Sequence, residues 1–235
     1  MADSVLASAV ILGARERADD AVDEAIADDA EILRYLVQAW KRLHALYVQA
    51  EPDRFMTSSN VGVVAGTATY SLPATWLGTV RVDYVQSSTG NLYRPLRRLQ
   101  DPEVLLFNGT PSAPIATAYR AVGTNLVLYP TPSDSSASYR HTYLTTAPSI
   151  PNTSTSLEVR NGHDVYLEML VAKRLLQKEE AYDGRFEKEL EQIEEDLKSE
   201  ANLRYFMDPD RQWGIRQRDP FIDPADYPGR RRYWY

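Results

Sequence analysis

Three observations predict an α+β protein with a helical core built from both ends of the chain, an inserted small antiparallel β domain and an extended C-terminal arm. Apolar residues recur at three- and four-residue steps near the start and again after residue 160. Between about residue 61 and residue 146 they alternate at every second position, and from Met207 the periodicity disappears. The expected divisions are 1–60 for the N-terminal helices, 61–150 for the β insertion, 151–206 for the C-terminal helices and 207–235 for the arm.

Taken in order, Val5 to Arg17 reads as a short helix, with Gly13 as its weak point. From Asp28 to about Ala50, Ile32, Leu33, Leu36, Val37, Trp40, Leu43, Leu46 and Tyr47 share one helical face. Asp28 or Asp29 can cap that helix by accepting from first-turn amides, and Glu51-Pro52-Asp53 ends it. Val61 to Leu72 and Thr79 to Gln86 have the rhythm of half-buried strands. After a turn at Ser87 to Gly90, Asn91 to Arg98 returns with Pro95 requiring an edge or a bulge. Asp101 to Asn108 reads as one helical turn. Ala116 to Val122 and Leu126 to Tyr129 bracket the turn Gly123-Thr124-Asn125, and Tyr139, His141 and Tyr143 mark one face of a last strand. Six strands in hairpin order imply a small antiparallel sheet or sandwich.

The helical period returns from about Asn161 to Tyr205, ~60 Å of helix if unbroken, and Asp183-Gly184 divides it. The first half carries Val165, Tyr166, Leu167, Met169, Leu170 and Val171 on nearly every side, so it needs burial on more than one face; these are the candidate subunit-packing residues. The second half sets Phe186, Leu190, Ile193, Leu197 and Ala201 on a single stripe. Between Glu179 and Glu200 its acids interleave with Lys178, Arg185, Lys188 and Lys198, the pattern of a solvated face with ion pairs.

Composition narrows the function classes. The 235 residues contain no cysteine, which removes disulfides, thiolate metal sites and a cysteine nucleophile. The apolar run Val5 to Ala14 is too short to span a membrane, and no membrane partner is expected. No glycine loop for phosphates and no nucleophile-elbow pattern occurs in the sequence, and His44, His141 and His163 have no ligand-spaced companions apart from His163-Asp164, where adjacent side chains point apart. No catalytic residue, metal site or cofactor is therefore expected. The net charge of −7 equals that of residues 1–31 alone, where nine acids face Arg15 and Arg17.

The arm is the sticky part of the sequence. It holds Trp213, Phe221, Ile222, Tyr227, Arg230, Arg231, Arg232, Tyr233, Trp234 and Tyr235. Fixing such a segment costs on the order of 30 kcal/mol of backbone entropy. Its large apolar groups return roughly 1.5–3 kcal/mol each, and only if something buries them. Arginine and aromatic residues dominate protein hot spots, and one short basic cluster holds nucleic acid weakly, so a protein partner is expected to order the arm.

The order of parts resembles the head-to-tail adaptor (connector, or head-completion) proteins of tailed bacteriophages, the short-tailed phages above all. The likeness is carried by "ATYSLPATWLGTVRVDYV" (68–85), "AYRAVGTNLVLYPTPS" (118–133), "YRHTYLTTAPSI" (139–150) and "NGHDVYLEMLVAKRLLQKEEAYDGRFEKELEQIEEDL" (161–197). The resemblance implies a non-enzymatic structural protein of the virion neck, assembled in the host cytoplasm as a homo-oligomeric ring of twelve under the portal protein. It further implies that the arm binds the portal, that a tail protein (nozzle or tail tube) docks on the far side, and that genome DNA passes through without sequence-specific binding. Two other readings compete: a virion-associated hydrolase using two helix carboxylates, and a non-viral oligomeric binding module. Single Glu-to-Gln changes along residues 179–200 would silence only the hydrolase.

Overall fold

The computed structural model describes residues 2–19, 27–86, 92–107, 110–135, 138–160, 162–182 and 184–207. It is an α+β chain whose helices lie toward the two ends of the sequence with most strands between them. Contacts divide it into two compact units, one containing Met1–Phe55 with Thr145–Asn202 and the other built on Met56–Leu144.

The helical unit contains α1 (Ala7–Arg17), α2 (Asp29–Ala50), α3 (Asp164–Lys178) and α4 (Glu187–Met207). Asp28 caps α2, its carboxylate accepting from the Glu31 amide at 2.6 Å. A 3-10 turn at Pro52–Phe55 follows α2 where the proline predicts its end. Gly184, at φ 82°, sits in the break between α3 and α4. The core joins Val10 and Ala14 of α1, Ile32, Leu36 and Leu43 of α2, Leu167 and Leu175 of α3, and Leu190 and Leu197 of α4.

Gly13 has a positive role. A Cβ built there would lie 2.5 Å from the Glu168 carboxyl on α3, a group held by Arg17 Nε at 2.8 Å. The missing side chain lets this ion pair lie flat against α1.

Two strands depart from the sequence expectation. Ala2–Leu6, of which Val5 and Leu6 were expected as helix, is strand β1, and Ser156–Arg160, where no strand was expected, is strand β10; they pair antiparallel from Ala2↔Arg160 to Leu6↔Ser156. Neither segment is long enough to show its period alone, and each is stabilised by the other, some 150 positions away. Leu157 and Val159 are buried in the helical core, with Val5 packed against it.

The second unit consists of two four-stranded sheets. One orders β2 (Met56–Gly62), β9 (Ser138–Thr145), β4 (Trp76–Gln86) and β5 (Leu92–Pro95). The other orders β3 (Thr69–Ser71), β8 (Asn125–Tyr129), β7 (Ala118–Val122) and β6 (Arg97–Arg98). Pro95 ends the edge strand β5, as its missing N–H requires. Val61–Leu72 does not form one strand: β2 and β3 lie in different sheets, with Gly66 at φ 79° between them. The β6–β7 pair is parallel, against the antiparallel expectation. Val82, Leu126, Leu128 and Tyr139 are fully buried between the strands, and Tyr139 Oη accepts from the Ala116 amide at 2.7 Å.

A double-mutant cycle tests the Gly13 argument. In the wild-type chain Gly13→Ala should gain less than helix propensity alone gives, because the Glu168 carboxyl must swing aside from its bond to Arg17. In a Glu168→Ala background it should stabilise by up to about 1 kcal/mol, the helix-propensity gain. Denaturant unfolding of the four variants reads it, and equal effects in both backgrounds would remove Glu168 from the account.

Candidate interaction surfaces

The two sets of sequence-predicted site residues have different fates. All ten arm residues, from Trp213 to Tyr235, lie outside the described residues. On α3, Tyr166, Leu167, Met169 and Val171 are fully buried within the single chain, whereas Val165 and Leu170 are half-buried. The several-sided burial that their pattern demands is met chiefly by α1 and α2, with Leu190 and Leu197 of α4 and Leu157 and Val159 of β10 in the same core.

Three acids of the last two helices, Glu168, Glu187 and Glu194, are tied to cations or hydroxyls. Tyr166 donates to Glu194 Oε1 at 2.8 Å, Arg42 of α2 pairs with the same carboxylate, and Lys198 lies 3.9 Å away, one turn on. This carboxylate therefore bridges α2, α3 and α4 rather than lining a solvated face. Burial, followed by the bond to Glu194, pushes the Tyr166 phenol well above its ordinary range. Lys173 donates to Glu187 and holds that carboxyl below the usual range; Lys178 and Tyr35, donating to Glu31, do the same there. A general acid would need the opposite shift.

The three histidines contact aromatic rings and hydroxyls. His44 is buried between Trp40 and Phe55, with ring centroids at 6.3 and 4.5 Å, and desolvation lowers its pKa. His163 Nδ1 lies 2.9 Å from Tyr47 Oη, which accepts from the Arg160 amide at 3.1 Å; the phenol hydrogen is thus free to point at the imidazole. In the β unit, Trp76 Nε1 donates to Thr79 Oγ1 at 3.0 Å, and Thr79 Oγ1 lies 3.0 Å from His141 Nε2. His141 stacks on Tyr143 and is 1% exposed, and burial lowers its pKa to about 4. The sequence pattern, which placed His141 among three alternate residues of a strand face, was followed by complete burial of that face. Among the described residues no group of three His, Asp or Glu could hold a metal ion, and no helix is long and apolar enough to cross a membrane.

What lies outward differs between the units. The helical unit exposes Leu6 and Leu12. Over residues 1–55 and 145–202 it has 24 acids against 13 basic residues, a net −11. Residues 56–144 have four acids (Asp83, Asp101, Glu103, Asp134) against six cations, all arginine, a net +2. Arg81 pairs with the buried Asp83 at 2.8 Å, and the Arg140 guanidinium stands 5.1 Å from the ring centroid of exposed Tyr93. Leu77, Val80, Leu105 and Val122 are also exposed on this unit. Arginine beside exposed aromatic and aliphatic groups is interface chemistry. Sequence reading missed this surface because an alternating strand pattern marks one face as buried without saying that apolar groups also remain on the other.

A protein-family model described as SU10 adaptor protein matches residues 7–216 of the chain. No curated protein matches it.

The buried imidazole gives the β unit a pH dependence of defined sign. His141 stays neutral in the folded state down to about pH 4, while in the unfolded chain it protonates near 6.5. Its contribution to stability is complete above pH 6.5 and is lost as pH falls from there toward 4. The unfolding midpoint of His141→Gln should therefore fall less steeply across that window than wild type, and parallel curves would contradict a buried neutral imidazole.

Proposed function

The chain belongs to the SU10 adaptor protein family, and from that premise we propose that it is the ring-forming connector between a portal protein and the tail of a bacteriophage virion. The family supplies the structural head-to-tail role and points to portal and tail partners at the virion neck. The observation that carries the reading is the match over residues 7–216, which takes in both compact units and the start of the arm.

In this reading the chain assembles in the host cytoplasm as a homo-oligomer of twelve, and genome DNA passes through the ring without sequence-specific contacts. The helical unit's net −11 suits a wall past which DNA slides, since like charge prevents adhesion. Residues 1–31 carry −7 of that charge, and α4, with seven acids against three basic residues, is the other acidic element, so neutralising the first 31 residues alone removes only part of it. Subunit contacts made by α3 are limited to Val165 and Leu170, because its other apolar groups are already covered. The arginine-bearing β unit, with Tyr93, Leu77 and Val80 exposed, suits a tail protein. The arm carries the portal contact: Tyr227 and the run Arg230-Arg-Arg-Tyr-Trp-Tyr235 are its anchors, with Trp213, Phe221 and Ile222 on the same segment. Ordering of the arm costs entropy that only a partner's surface repays.

Solution mass and negative-stain images of the purified protein, alone and mixed with portal, test the ring; a protein monomeric under both conditions sinks it. Removing residues 223–235 should leave the folded units and the ring intact and abolish portal attachment. Survival of attachment would show that the anchors lie elsewhere.

A further inference from the structure

Among the described residues, nearly every strand edge is short, charged, interrupted by proline or covered. β3 and β6 contain three and two residues. β5 contains four, among them Arg94 and Pro95, and β1 contains five, among them Asp3. The outer edge of β10 is covered: Arg54 Nη2 donates to the Glu158 carbonyl at 3.0 Å, and Tyr47 Oη accepts from the Arg160 amide at 3.1 Å. These are the devices by which proteins prevent edges from pairing with other chains.

β2 has none of them. Its seven residues, Met56-Thr-Ser-Ser-Asn-Val-Gly62, contain no charge and no proline. It pairs with β9 from Met56↔Leu144 to Gly62↔Ser138, and it ends its sheet with no described strand on the other side. Thr57, Ser58 and Asn60 are exposed. Alternate residues of β2 therefore present N–H and C=O groups along ~23 Å of open edge.

The sequence contains a segment of matching size. α4 ends at Met207, which leaves the 28 residues 208–235. Within them, Asp208-Pro209-Asp210 and Asp219-Pro220 bracket the eight residues Arg211–Arg218, which are free of proline. In that run Trp213 and Ile215 alternate with Gln212, Gly214 and Arg216. Proline cannot donate to a ladder, so the two breakers mark off one strand-sized unit. The alternation spans too few residues to register as a period over the whole arm.

We propose that Arg211–Arg218 of a neighbouring copy adds to the open edge of β2 as a further strand of the β2-β9-β4-β5 sheet. The inference rests on the ring reading above and deepens it. A segment of one copy seated on a different surface of the next is a heterologous contact, the kind that closes a ring. Backbone hydrogen bonds supply its affinity, and Trp213 and Ile215, projecting to one face, supply its register. The arm beyond Pro220 is then left for the portal, so one segment has two successive receivers.

The absence of cysteine makes a direct test possible. One set of chains carries Ser58→Cys or Asn60→Cys, a second carries Gln212→Cys, Gly214→Cys or Arg216→Cys, and the two are mixed, assembled and oxidised. Disulfides joining the two variants are expected, and they should be lost when Ile215→Pro is added to the second set. Rings without any such disulfide would overturn this inference and leave the ring reading standing. Bridging only inside a chain that carries both cysteines would show that the strand returns to its own β2, against the neighbouring copy. Monomers throughout, with no cross-link between variants, would defeat the ring reading and this inference together.

Discussion

The rest of the fold depends on the burial of α3. Its Tyr166, Leu167, Met169 and Val171 point in different directions around the helix, and each has no exposure. Each contributes roughly 1.5–3 kcal/mol only when covered. One partner helix cannot do this, so α1 and α2 both pack against it, and α4 and β10 add Leu190, Leu197, Leu157 and Val159 to the same core. Because α1 and α2 precede the β insertion and α3 and α4 follow it, the chain must leave the helical unit and come back to it. Local bonds hold the point of departure and return: Thr145 Oγ1 donates to the Phe55 carbonyl at 3.3 Å, and Trp40 Nε1 to the Pro148 carbonyl at 3.1 Å. The β1–β10 pair binds the chain's beginning to the same region.

Polar groups inside this arrangement work as fasteners. Arg15, 6% exposed, donates to the Ala27 carbonyl and to Asp29, both at 3.0 Å, and so ties the end of α1 to the start of α2. Glu194 is shared by three helices, and Glu168 fits the gap left by Gly13. Such groups are costly to leave unpaired in a low-dielectric interior, which explains why they recur at junctions between elements. The same economy holds in the β unit, where Trp76, Thr79 and His141 form one chain of contacts. Fasteners of this kind hold the elements of each unit at fixed spacing.

Much of this was legible beforehand, and the particular residues show why. The α2 cap at Asp28, its end before Pro52, the break at Gly184 and the edge position of Pro95 are local matters, decided by a few neighbouring residues and the stereochemistry of proline and glycine. The buried stripe Phe186, Leu190 and Leu197 was likewise visible as a period. The pairing of β1 with β10 was not, because five-residue segments have no readable period and their stability comes from a distant partner. The fate of Glu194 was hidden for a related reason: within its helix it looks like any solvated acid, and only Arg42 and Tyr166, far off in sequence, turn it into a junction.

The amino-acid sequence by itself determined the class of fold, the sites of helix ends and turns, the lack of thiol chemistry and a C-terminal composition rich in arginine and aromatic groups. These follow from periodicity, capping and composition, which act over a few residues. Tertiary structure alone decided that the apolar girdle of α3 is covered within one chain, that Val61–Leu72 is divided between two sheets, and that the uncharged β2 is an edge strand among the described residues. Those outcomes depend on which surfaces meet across long separations in sequence. Burial energy sets them collectively, and no single segment encodes them.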